Sequence, residues 1–168
     1  MMNKMEEILD LVDENDNIIG KINRSDFKSQ DNFCRVVGIL LINSKDEIYV
    51  HKRSLNKDIF PGFYDTAFGG SVNSGEDYDN AAQRELFEES GIIEKPIFFK
   101  KIRSYFPSNV HIKFYYVKSD KDVKLNDEAV EGKFMNLKDL KLLMRKEPFC
   151  SDAFHILNFA IDEKIIKE

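Results

Sequence analysis

The stretch GGSVNSGEDYDNAAQRELFEESGI, residues 69–92, decides how the rest of the chain is read. Within it, Ala81-Ala82-Gln83-Arg84-Glu85-Leu86-Phe87-Glu88-Glu89 is a run of mostly good helix formers, with Ser74 or Asp77 available upstream as an N-cap. Gly91 follows, the residue type that best tolerates the left-handed backbone of a helix C-terminus. A helix is therefore predicted. Positions three and four apart are neighbours on it, so Glu85, Glu88 and Glu89 fall on one face. Two like charges about 4 Å apart repel by roughly 1 kcal/mol in water and about 4 kcal/mol at an effective dielectric of 20, so such a cluster is unfavourable unless a cation sits among it. Ligands that are all oxygen favour a hard ion, Mg²⁺ or Mn²⁺, over zinc.

A bare Glu-x-x-Glu-Glu is ordinarily a solvated helix face. Here Gly70, Glu76, Arg84-Glu85, Leu86, Glu88-Glu89, Gly91 and Ile92 fill the pattern G-x5-E-x7-R-E-U-x-E-E-x-G-U, U being a bulky aliphatic residue, at all nine positions. That pattern is the Nudix box, and the chain resembles the Nudix hydrolase superfamily. The resemblance implies an α/β/α sandwich around a mixed β-sheet. It implies Glu85, Glu88, Glu89 and the Gly70 carbonyl as ligands of Mg²⁺ or Mn²⁺, with Glu85, Glu88 and Arg84 in the catalytic machinery. Arg84 with Glu76 would form a structural pair, and Gly91 would close the box helix.

At 168 residues, 42% of them hydrophobic, the chain fits one domain with a real core. Its net charge is −5, with Lys and Arg scattered, which argues against a broad surface for nucleic acid. The amino terminus shows no export signal, and the longest apolar run, residues 36–42, is far too short to span a membrane. A cytoplasmic protein acting on a small-molecule diphosphate is expected, with a homodimer open. Cys34 and Cys150 lie far apart and lack Cys-x-x-Cys spacing, so neither a disulfide framework nor a zinc site is indicated.

Residues 8–12 (ILDLV) and 18–22 (IIGKI) flank a turn-rich connector and predict a β-hairpin over about residues 7–23. Ser25-Asp26-Phe27 opens a short helical turn. Residues 36–42 predict a strand buried on both faces, and residues 47–51 its neighbour. Pro61-Gly62 marks a turn into the box loop. Residues 97–102 predict a further strand. Residues 110–117 alternate, which predicts one core face and one face bordering a pocket. Residues 120–131 are polar and acidic, as in a loop. Asn136 caps a helix through Arg145, and Ser151 caps a last one over residues 152–161.

The expected chemistry is hydrolysis of a diphosphate bond, a hard divalent ion neutralising the departing phosphate. The substrate implied by the family is a nucleoside diphosphate derivative or a related organic pyrophosphate. For the base, Glu88 is one candidate, and Glu128 and Glu131 of the acidic loop are others. Beyond the box, Asp13-Glu14-Asn15, Lys52-Arg53, Lys57 and Phe60-Pro61-Gly62 resemble the branch that includes type I isopentenyl-diphosphate isomerase and its hydrolase relatives. That likeness implies Arg53 and Lys57 as diphosphate contacts, which suits a guanidinium fork and an ammonium. Phe63, Tyr64, Phe68, Tyr105 and Tyr115 are open to two readings, stacking on substrate or packing in the core, with Phe68 counted in the substrate-binding set. The isomerase needs a cysteine just before the box glycines, where this chain reads Tyr64-Asp65-Thr66-Ala67-Phe68-Gly69-Gly70. Isomerase chemistry is therefore the alternative reading, and a nucleotide-binding module without turnover is a third. His51, His111 and His155 share no ligand spacing and are assigned structural roles.

Overall fold

The computed structural model describes residues 7–28 and 32–167; the leading residues 1–6, over which no export signal is read, lie outside them. At its centre is β3, Cys34–Ile42, a run of β-branched and aliphatic residues fully buried from Val37 onward. Apolar residues without alternation are what a strand covered on both faces requires. Strand β8, Val110–Lys118, runs parallel along its whole length. The other edge of β3 is shared. Strand β6, Ala67–Ser71, pairs antiparallel with residues from Val36 to Leu40, and β4, Ile48–Arg53, meets β3 only at Ile42 and Ile48. From there β4 continues away from β3, pairing with β5, Tyr64–Asp65, and β9, Ala129–Met135, while β7, Ile97–Ser104, pairs with β8 on the far side. Among the described residues the sheet is mixed and has seven strands.

Helices cover both faces. On one side α1, Tyr78–Ser90, packs Ala81, Ala82 and Leu86 on Val37, Ile39, Leu41, Tyr115 and Val117. On the other, α2, Leu137–Met144, and α3, Ser151–Asp162, bury Leu140, Ile156 and Leu157 against Leu40, Ile42, Ile112 and Phe114. This is the expected α/β/α sandwich. A separate hairpin, β1 Ile8–Val12 with β2 Ile18–Asn23, docks on it through paired backbone bonds between Val12 and Phe33 at 2.8 and 3.1 Å. A short 3-10 turn, Arg24–Asp26, follows β2.

Three expectations are corrected. Both faces of β8 are core, because helices cover the sheet on both sides there: Ile112 and Phe114 pack beneath α3, and Tyr115 and Val117 beneath α1. The acidic stretch ends in a strand, since β4 offers a free edge that Ala129 to Met135 pair with, polar composition notwithstanding. Ser151 is the first helical residue of α3 and not its cap. Cys150 holds the cap position without a side-chain bond; its backbone is extended at ψ 142° and its N–H is tied to the Tyr64 carbonyl at 2.9 Å, so the helix begins after it.

Candidate active site

The box helix is shaped by its ends. Asp77 caps α1, its carboxylate accepting from the Asn80 N–H at 2.8 Å, and Gly91 closes it at φ 71° while donating to the Phe87 carbonyl at 2.8 Å. Ser74, the other candidate cap, gives its hydroxyl to the buried Asp10 carboxylate of the hairpin at 2.7 Å. The loop is thereby held from outside.

Arg84 joins loop to helix. Its Nε and Nη2 donate to the two Glu76 oxygens at 2.9 Å each, Nη2 also donates to the Ser71 carbonyl at 3.0 Å, and Nη1 reaches Glu85 at 2.6 Å and Glu88 at 3.3 Å. Burial pushes the Glu76 carboxyl up, but the bonds from Arg84 outweigh it and hold it below its ordinary value. A planar fork meeting a carboxylate in two parallel bonds is a geometry that lysine does not reproduce.

The three box carboxylates separate into two kinds. The Glu85 carboxylate lies against Gly70, where an added Cβ would stand 2.6 Å from one of its oxygens. Glu89, 8% exposed, accepts from the Gly69 N–H at 2.7 Å. Glu88 instead leaves its side chain 53% exposed and turns to Arg84. Helical spacing puts all three on one side, but the strand beneath contacts only Glu85 and Glu89. Burial raises both of these carboxyls; Glu89 is raised further by Glu85, and Glu85 by Glu88 after Arg84 has drawn it back. Among the described residues, no group of three or more His, Cys, Asp or Glu side chains is arranged to hold a metal ion in this conformation. The donor set, one buried and one partly buried glutamate against the backbone of two glycines, nonetheless has the chemistry of a hard-cation site.

Beside Glu89 opens a crevice lined by His51, Arg53, Lys57, Phe68, Glu89, Asn126, Glu128 and Ala129. Arg53 and Lys57 therefore sit together on it. Arg53 donates through Nη2 to the Ile59 carbonyl at 2.8 Å, and its buried Nε has no partner. Lys57 is paired with Glu128. Burial opposes ionisation of Glu128, but the bond from Lys57 more than offsets it and holds the carboxyl low. Phe68, 2% exposed, stacks between His51 at 5.0 Å and Tyr49 at 5.6 Å, so its ring is mostly a wall.

Other residues stand apart. Glu131 lies in β9 with an exposed side chain that accepts from the Tyr64 hydroxyl at 3.0 Å, and it does not line the crevice. The Tyr115 hydroxyl donates to Asp79 at 2.6 Å beneath α1, and Tyr105 is 58% exposed, edge-on to Phe33. The Cys34 thiol, pushed up to about 11 by burial, belongs to the core on the α3 side. Two further residues lie near these groups without a family signal in the sequence. His51 precedes Arg53 by two residues on one strand and so shares its face, a clue that alternation alone provides. Arg24, paired with Glu7 at 2.7 Å, stands close enough for its charge to act on Glu85 and Glu128.

The NUDIX domain profile matches residues 32–154. A Nudix hydrolase of Pseudomonas aeruginosa is 32% identical over 160 residues, 93% of this chain and 94% of the relative. An isopentenyl-diphosphate Delta-isomerase of Photorhabdus laumondii is 31% identical over 163 residues, 89% of this chain and 91% of the relative. A crystal structure of a Deinococcus radiodurans protein superimposes with a TM-score of 0.75 at 28% identity, covering 90% of this chain and 98% of that one. With a complete box, the matching sandwich and relatives aligned along nearly their whole length, the chain belongs to the NUDIX domain family and is a pyrophosphohydrolase of it.

Proposed function

We propose that this enzyme cleaves the diphosphate bond of a nucleoside diphosphate derivative or a related small organic pyrophosphate, using Mg²⁺ or Mn²⁺. One observation carries the reading: the buried Glu89 and the partly buried Glu85 flank the Gly69-Gly70 backbone beside a crevice on which two cations, Arg53 and Lys57, also lie. Burying like charges together is costly, and a divalent ion relieves that cost. Glu85, Glu89 and the Gly70 carbonyl would hold it, with Glu88 joining by turning from Arg84. Bound there, the ion would neutralise charge on the phosphoryl oxygens.

The chain's own groups do the remainder. Arg53 and Lys57 hold the diphosphate, and the partnerless Arg53 Nε is a donor suited to a phosphate oxygen. Lys57 exchanges Glu128 for phosphate, which frees the Glu128 carboxylate to take a proton from water. Glu128 is preferred over Glu131 as that base because only Glu128 borders the crevice. No thiol lines the crevice, so nothing there favours the isomerase alternative.

A product-resolved screen of nucleoside diphosphate derivatives and prenyl diphosphates with Mg²⁺ or Mn²⁺ tests this. Phosphate-containing cleavage products are expected. Isomerised product without cleavage, or tight binding without any product, would reject the proposal.

A further inference from the structure

We propose that His51 is a further positioning residue of this site, holding a single water in the crevice that Glu89 and Glu128 also line. The inference rests on the hydrolase reading and adds to it the residue that aims the nucleophile. His51 is 5% exposed, and its Nδ1 makes no hydrogen bond to any described group. An unsatisfied buried polar atom costs about 1–3 kcal/mol, so native structures supply it with a partner. Arg53 lines the same crevice, and its Nε, likewise without a partner, can bond the water until a phosphate oxygen takes its place. The space for the centre of a water molecule there is about 10 Å³, close to what one water needs. Such a water also requires two to four polar partners, and His51, Arg53, Glu89, Asn126 and Glu128 offer more than that.

The ring is well placed to aim it. It lies parallel to Phe68, 3° between planes and 5.0 Å between centroids, so stacking fixes its plane. Burial lowers its affinity for a proton, with Asp65 opposing and Arg53 and Lys57 assisting, which keeps the imidazole neutral with one nitrogen free to accept. In the reaction the water oxygen bonds to phosphorus, and the bridging P–O bond breaks with its electron pair on the departing phosphate. The proton released from the water passes to Glu128. His51 neither gains nor loses a proton.

The test compares wild type with His51→Phe, which keeps a flat ring on Phe68 but removes both nitrogens, and with His51→Gln, which restores a polar group. On the substrate found by the screen, His51→Phe is expected to lower kcat by roughly 10- to 100-fold with KM within about threefold, as loss of orientation does. His51→Gln is expected to recover part of the loss. A wild-type kcat for His51→Phe, or an effect on KM alone, overturns the proposal. A wild-type crystal structure at atomic resolution is the second measurement and holds even if His51→Phe fails to fold. An ordered water within hydrogen-bond distance of Nδ1 is expected; a dry Nδ1, or one bonded to a protein group, overturns the proposal. A wild type that cleaves no diphosphate rejects the hydrolase reading and the catalytic role with it, leaving the water site to the density. A wild type that cleaves while His51→Phe is unaffected rejects His51 alone.

Discussion

Glu89 holds a carboxylate that is nearly sealed from water and bonded to one backbone N–H. Replacing it by Gln keeps an acceptor for Gly69 and removes the charge. Glu89→Gln is expected to lower kcat by roughly 10²- to 10³-fold, the scale on which single electrostatic contributors act, while the melting temperature of the metal-free protein does not fall; steady-state rates and thermal melts check both. Asp152, in the first turn of α3, carries a different charge problem. Burial, and then the nearby Asp65, raise its carboxyl from 3.8 to about 6, and one of its oxygens has no partner. Below about pH 4 the group is protonated whether the chain is folded or unfolded and contributes nothing. Between about pH 4 and 6 the unfolded chain gives up the proton that the folded chain retains, so stability is lost as pH rises and stays lost above. At about 1.4 kcal/mol per pH unit between the two values, the loss is on the order of 3 kcal/mol. Urea melts should show wild type losing this increment between pH 4 and pH 7, and Asp152→Asn lacking it.

At the scale of the element, the box is a loop and a helix locked by Arg84 and laid on β6 where that strand has no side chains. Gly70 makes the closeness possible. A methyl group there would meet the far end of a flexible side chain, the Glu85 carboxylate, and not backbone. Glu85 can swing aside at little energetic cost but cannot then serve the site. Gly70→Ala is accordingly expected to change unfolding free energy by less than about 1 kcal/mol while reducing activity at least tenfold, a separation that denaturant melts and kinetics on one preparation would reveal. Equal losses in both would mean the strand itself had been disturbed. The helix ends were legible in the chain, since Asp77 and Gly91 act through bonds to residues three or four positions away. Ser74 was not, because its partner Asp10 lies 64 positions upstream.

The whole molecule depends on the hairpin gripping the sandwich. Asp16, at the turn, receives Arg35 at 2.6 Å, Lys101 at 2.5 Å and the Tyr78 hydroxyl at 2.9 Å, tying the hairpin to β3, β7 and the start of α1. Asp16→Asn keeps a residue tolerant of its φ of 68° and removes the charge. It should destabilise the protein by about 2 kcal/mol, as loss of charge-assisted bonds does, measured as a lowered urea midpoint. By itself the sequence determined the box helix and its closing glycine, the buried central strand, the layered α/β class and the family, because these reside in local spacing and periodicity; it left the N-cap open between Ser74 and Asp77. Only the tertiary structure decided that Glu85 and Glu89 face inward while Glu88 does not, and that Glu128 and not Glu131 borders the crevice. Each of these depends on which strand edge or backbone group the fold brings opposite a side chain from far along the chain, and periodicity within one element carries no record of that partner.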